Sequence, residues 1–377
     1  MTDPYKDNPS TIGYSVHFCQ GICVTVQSSI PHTVLLYGQN GSLKSAVGDV
    51  TGNIKFPYRW LEEWNIVIEC QGIIVFEHTF CPSNKRVLVS LGSRSMGDTI
   101  AWLPAIDRFQ RKWGCEVIAC TFHNHWFENA YPNLQWVKPG VRVDNLYAIN
   151  TIGWYYHQTD TNRIDDLKVP KDFRQQPLQW TATQALGLSN GEQKPRLSIP
   201  IGNRPIEGQY VCIALHSTAQ AKYYNRSGGW EEVVSLVIQR GFRVFIASRE
   251  GDGYMGNQHP SNAERLPNYE IETTATYMRH SAAVIGIGSG LSWLAWALNV
   301  PLVLVSGFSK NYSEMQHGVQ RVNAPNDVCN GCFNTHKLDA SDWNWCPKNK
   351  GHRKQFECTK RIEPASILKA FDSALRC

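Results

Sequence analysis

The sequence predicts an α/β protein of two strand-and-helix domains, with a small all-β appendage in front and a cysteine-rich segment behind. Three observations carry this. Residues 86–109 give an apolar strand, a turn through Gly92 and Gly97, and a helix with Ile100, Leu103 and Ile106 on one face. The same order of strand, turn and helix returns over 210–247, and again over 283–307 with a Gly-rich turn. Between the first and second occurrences, residues 190–207 gather Pro, Gly and Asn as an interdomain linker would.

Composition narrows the function classes. The chain has 377 residues, 42% hydrophobic and 18% charged, which excludes a disordered chain and a long coiled coil. A net charge of +5 suits an anionic small ligand as readily as a nucleic acid. The amino terminus has neither a basic region nor an apolar stretch to direct export, so a cytoplasmic location is expected. The uncharged run 284–309 is long enough to span a membrane, but Gly286, Gly288, Gly290, Asn299 and Pro301 divide it into strand, turn, helix and strand. No membrane span is expected.

In chain order, residues 1–82 form the β-rich appendage, since 14–80 is rich in Val, Ile, Tyr and Phe with Gly-bearing breaks. It holds no cluster of titratable groups and is assigned to assembly. Residues 83–200 form the first α/β domain, with a strand at 86–91, a helix at 98–112 and a strand at 116–120. Asp98 stands at the carboxyl end of its strand, where open α/β sheets place a ligand crevice; it either accepts a proton there or caps the helix. His123, His125, Trp126, Tyr155, Tyr156 and His157 could line a sugar or acceptor site or lie half-buried on the surface.

Residues 201–324 form the second α/β domain. Its first strand, 210–215, ends in His216, Ser217 and Thr218, and Lys222 follows in a loop where it could neutralise phosphate or simply be solvated. A helix at 230–240 and a strand at 242–247 come next. The strand 283–288 leads through Ser289, Gly290, Leu291 and Ser292 into a helix and the strand 301–307. The glycines permit close backbone approach, and the helix amino end offers free N–H groups and a positive dipole to a pyrophosphate; a plain tight turn is the alternative. Leu291 stands where a dinucleotide fingerprint needs its last glycine, and no G-x-S-x-G is present, so neither a nicotinamide enzyme nor a serine hydrolase is supported.

Residues 325–377 are the cysteine-rich segment. Twelve cysteines without an export signal do not suggest a disulfide framework, and the seven before position 329 are scattered as apolar fillers. Cys329 and Cys332 form a C-x-x-C knuckle, and Cys346 and Cys358 can close a tetrahedral all-sulfur site for zinc or iron, with structural zinc the commoner use. Cys377 has no matching neighbour. The interleaved Lys348, Lys350, His352, Arg353, Lys354, Lys360 and Arg361 raise a different class, a metal-ribbon nucleic-acid-binding protein.

Specific motifs carry a resemblance. Ser95-Met96-Gly97-Asp98-Thr99 followed by Leu103-Pro104-Ala105-Ile106 resembles the start of the heptosyltransferase family. The run 289–307 resembles that family's donor-phosphate turn, and Lys222 followed by Gly228-Gly229-Trp230 its phosphate-lysine loop. The cysteine segments around 329–334, 342–347 and 356–359 are similar to those of the bacterial autotransporter heptosyltransferases.

This resemblance implies a GT-B architecture and inverting transfer from ADP-D-glycero-β-D-manno-heptose to serine hydroxyls of an autotransporter adhesin passenger domain. It implies Asp98 as general base, and donor binding by Lys222, Thr218, Met96, Gly97, Ser289, Gly290, Leu291 and Ser292. It shifts the metal from zinc to one structural iron on Cys329, Cys332, Cys346 and Cys358, and it implies a large ring-like homo-oligomer. A lipopolysaccharide or small acceptor is the alternative within the family. The chain has no D-x-D pair, so protein cation and helix dipole would do the work of a divalent metal.

Overall fold

The computed structural model describes residues 13–376. The first twelve residues, on which the expected lack of an export signal rests, and Cys377 lie outside that range. The amino-terminal part supplies β1 (Gly13–Cys19), β2 (Ile22–Gln27), β3 (His32–Tyr37), β4 (Leu43–Val50), β5 (Asn53–Phe56), β6 (Asn65–Cys70) and β7 (Ile73–Thr79). The first α/β domain adds β8 (Arg86–Leu91), α1 (Met96–Trp113), β9 (Glu116–Cys120), β10 (Gln135–Val137), β11 (Ala148–Ile152) and α2 (Leu178–Ala185). The second contains β12 (Tyr210–Ala214), α3 (Gly229–Gln239), β13 (Arg243–Ile246), β14 (Glu264–Arg265), α4 (Ile271–His280), β15 (Ala283–Ile287), α5 (Gly290–Ala297), β16 (Leu302–Ser306) and β17 (Val319–Asn323). Two helices, α6 (Glu357–Lys360) and α7 (Pro364–Ala374), close the chain.

The β-rich segment is divided between two sheets. β4-β3-β6-β7 form an antiparallel sheet of their own, whereas β1, β2 and β5 extend the sheet of the first α/β domain, in the order β10-β9-β8-β11-β1-β2-β5. Packing explains the join: β1 runs parallel to β11, and its buried Phe18 meets Phe80 and Tyr147 edge-on at 4.8 and 5.4 Å. Aromatic contacts of this geometry add to the area they bury.

The second sheet is parallel throughout, in the order β14-β13-β12-β15-β16-β17. Its central strands β12, β15 and β16 are buried at every residue, as expected where helices cover both faces. The apolar run 284–309 is therefore strand, helix and strand, and among the described residues no helix is long and apolar enough to cross a membrane. From Leu186 to Gln209 there is neither helix nor strand. α7 packs back beside α3, where Arg240 pairs with Asp372 at 2.8 Å and Phe242 meets Phe371 edge-on.

The two domains share one apolar core, which runs from Trp102 and Leu103 of α1 to Trp293 and Trp296 of α5. Their meeting point is the amino ends of α1 and α5. A Cβ on Gly97 would come within 2.8 Å of the Trp293 ring, and one on Gly290 within 2.8 Å of Met96 Cβ. Only glycine lets both turns reach the same place.

Candidate active site

Asp98 is not the cap of α1. The helix starts two residues earlier than the sequence suggests, and Ser95 caps it by accepting from the Asp98 N–H. The Asp98 carboxylate is thereby free for other partners: its Oδ2 accepts from Ser93 Oγ at 2.6 Å and from Trp154 Nε1 at 2.9 Å. One edge of the side chain opens on a cavity while protein surrounds the rest. This burial pushes its pKa up, against the two hydrogen bonds and the charge of Lys222, which favour the ionised form.

Across the cavity stands Lys222, in the short turn Gln220–Lys222 beyond β12. Its Nζ lies 3.4 Å from Thr218 Oγ1 and 5.3 Å from the centre of the Phe308 ring. Burial lowers its pKa, and the carboxylates of Asp98 and Glu314 oppose that shift. Beside it is the amino end of α5, with Ser289 at the N-cap. Ser289 Oγ is buried and has no hydrogen-bond partner in the protein, which marks a place for a ligand acceptor or donor.

A single cavity of about 410 Å³ gathers Asp98, Gly97, Thr218, Lys222, Ser289 and Gly290. Three candidate residues are not on its wall. Met96 packs beneath Gly290, Leu291 lies partly buried against the core, and Ser292 turns its hydroxyl inward to donate to the Ile287 carbonyl at 2.7 Å. Sequence reasoning overlooked Trp154, Ser309, Glu314, Phe308, Phe333 and Lys337, all on the wall. Tyr156 is also there, but His123 and Trp126 instead stack on each other at 3.8 Å elsewhere. A second cavity, about 450 Å³, lies at the amino end of α3 and contains none of the expected donor residues.

The cysteine-rich segment borders this cavity. Asn334 is buried and ties three parts together: its side-chain amide donates to the Arg174 carbonyl and Ser313 Oγ, and its oxygen accepts from the Lys310 N–H. The four cysteines form no disulfide with one another and lie near enough to influence one another. Burial pushes Cys358 up to about 12 and Cys332 to about 11, and the neighbouring cysteines add to both shifts. Among the described residues no three ligand-type side chains converge on an ion position. The donor set itself, four neighbouring thiols of which Cys346 and Cys358 are buried and Cys329 and Cys332 half-buried, suits a thiophilic ion such as iron or zinc. The basic residues nearby are partly paired, Lys350 with Asp342 at 2.7 Å and Arg361 with Asp327 at 2.6 Å.

Known proteins are similar to this chain in sequence and in fold. Residues 162–317 match glycosyltransferase family 9 (heptosyltransferase). The chain is 32% identical over 376 residues to the autotransporter heptosyltransferase BAHTCr of Citrobacter rodentium, covering 97% of this chain and 89% of that one. It is 35% identical over 289 residues to the autotransporter heptosyltransferase Aah of Escherichia coli, with 74% and 71% covered. In structure it is similar to TibC of enterotoxigenic E. coli H10407, an iron-containing dodecameric glycosyltransferase, with TM-score 0.86, 29% identity and 100% and 99% of the chains covered. TibC has also been solved in complex with ADP-D-beta-D-heptose. E. coli lipopolysaccharide heptosyltransferase II, at 12% identity and TM-score 0.51 over 77% of this chain and 98% of that one, shares the fold. The two-domain α/β architecture is thus of the GT-B type.

Proposed function

The chain belongs to the autotransporter heptosyltransferases of glycosyltransferase family 9, and on that premise we propose that it transfers heptose from ADP-D-glycero-β-D-manno-heptose to serine hydroxyls of an autotransporter adhesin passenger domain, with inversion. One observation supports this most: Asp98 from the first domain and Lys222 with Ser289 from the second face one cavity. A carboxyl group with a raised pKa is suited to take the proton of an attacking hydroxyl. The Lys222 ammonium, the unpaired Ser289 hydroxyl and the α5 dipole are suited to hold the diphosphate and receive its charge as the sugar–phosphate bond breaks. Thr218 and the turn at Gly97 and Gly290 shape the donor side.

In the attack, the serine oxygen forms the new bond to the anomeric carbon, its proton passes to Asp98, and ADP leaves with the bonding electron pair. Attack from the face opposite the diphosphate turns the β-linked donor into an α-linked product. Cys329, Cys332, Cys346 and Cys358 would hold one structural iron, with zinc the alternative, pinning the segment that carries Phe333 and Asn334 to the cavity wall. The chain would act in the cytoplasm as a large homo-oligomer. Ile73, Ile74 and Val75 on the edge strand β7, 69%, 59% and 42% exposed, offer an apolar contact for it. A lipopolysaccharide acceptor has less support, because similarity to the lipopolysaccharide enzyme reaches only the fold.

The test is to incubate enzyme, ADP-heptose and passenger domain, then map the modified residues and assign the anomer by NMR. Serine-linked α-heptose is expected. A β-linked product would refute inversion, and a passenger domain left unmodified would refute the protein target.

A further inference from the structure

Building on that donor-site reading, we propose that Glu314 recognises the hydroxyl groups of the transferred sugar and so sets the enzyme's sugar specificity. Glu314 lies between β16 and β17 and lines the same cavity as Asp98 and Lys222, although nothing in the sequence singles it out. Its side chain is only 13% exposed and is held from two sides. Ser309 Oγ donates to Oε1, and Arg321 Nη1 donates to Oε2 at 2.5 Å. Arg321 is itself fixed, through Nε to Asn323 Oδ1 at 2.7 Å and Nη2 to the Ser309 carbonyl at 3.0 Å. The carboxylate therefore has one orientation, and each oxygen keeps acceptor capacity beyond the bond it already makes.

Its surroundings indicate what it accepts. Gly288 lies alongside, where even a Cβ would sit 3.5 Å from Oε1, so the backbone there adds little bulk beside the carboxylate. The diphosphate is not its partner, because two anions in contact repel in a partly desolvated site. Sugar hydroxyls are donors, and the sugar must lie between the diphosphate held near Lys222 and the base Asp98. Phe308 and Phe333 give the same cavity apolar faces for the sugar carbons. A few placed polar groups in a largely apolar pocket are how such sites gain specificity.

The test measures equilibrium binding of ADP and of ADP-heptose to the intact protein and to Glu314→Gln, alongside their melting temperatures. ADP affinity should stay within about twofold, while ADP-heptose should bind ~10- to 100-fold more weakly, the cost of a lost hydrogen bond to a charged group. Equal losses for both ligands would show a merely structural Glu314 and overturn the proposal, as would no loss at all. If glutamine disturbs the Arg321 pair and lowers the melting temperature, Glu314→Asp keeps the charge, shortens its reach and should give the same selective loss. Failure of the unsubstituted protein to bind ADP would instead overturn the donor-site reading beneath it.

Discussion

Trp154 donates its indole N–H to Asp98 at 2.9 Å, and the same ring stands edge-on to Phe333 of the cysteine-rich segment at 5.7 Å. The carboxylate proposed as base is thus two contacts away from Cys332, the neighbour of Phe333 in the chain.

Asp98→Asn should lower turnover by ~10²–10⁴-fold while ADP affinity stays unchanged. The fold should tolerate it, since Ser95 and not Asp98 caps α1. Folding raises the Asp98 pKa, so the native state holds that proton more tightly than the unfolded chain does. The buried carboxylate then costs stability above the ordinary carboxylate range, and the cost fades as pH falls. Asparagine carries no such cost, so the variant should melt no lower than the parent at neutral pH. Full activity would contradict the assignment.

Trp154→Phe tests the same group through pH. The indole bond favours ionised Asp98, and its removal should raise the pKa further. A base works only when unprotonated, so turnover falls as pH drops through that pKa. The acid limb of the pH–rate profile should move to higher pH in the variant, and an unmoved limb would detach Trp154 from the base.

Lys222→Ala should weaken ADP-heptose binding and slow turnover together, because its ammonium would meet the diphosphate in both ground and transition states. Calorimetry with ADP alone should show the same loss of affinity. An unaltered ADP affinity would move the phosphate site away from Lys222.

Cys332→Ser should lose bound metal and solubility together. The untagged parent protein, grown without added metal, should be coloured and contain about one iron per chain, consistent with a four-thiolate site. Stoichiometric zinc by elemental analysis would replace iron, and absence of both metals would remove the site.

The two α/β domains were legible because each depends on local rules. A strand such as 86–91 is a short apolar run, a helix such as α1 a repeating face, and the turns between them need glycine. Asp98 and Lys222 drew attention in the sequence because each follows the carboxyl end of a strand, where open sheets keep their ligands, and the fold brings both to the wall of one cavity. The division of the β-rich segment was not, since the pairing of β1 with β11 joins residues more than a hundred positions apart and leaves no periodic trace. Glu314 escaped for a similar reason: its neighbours Ser309 and Arg321 look like ordinary loop and strand residues until the fold places them around it. The motif around Ser292 suggests a ligand contact, but its hydroxyl donates to the Ile287 carbonyl instead.

The most direct measurement is the intact mass of a purified adhesin passenger domain after incubation with ADP-heptose and either the parent protein or Asp98→Asn. The parent should add mass in steps of one heptose unit, and the variant should leave the passenger almost unmodified. An unmodified passenger with active parent protein, or equal modification by both, would contradict heptosyl transfer through Asp98.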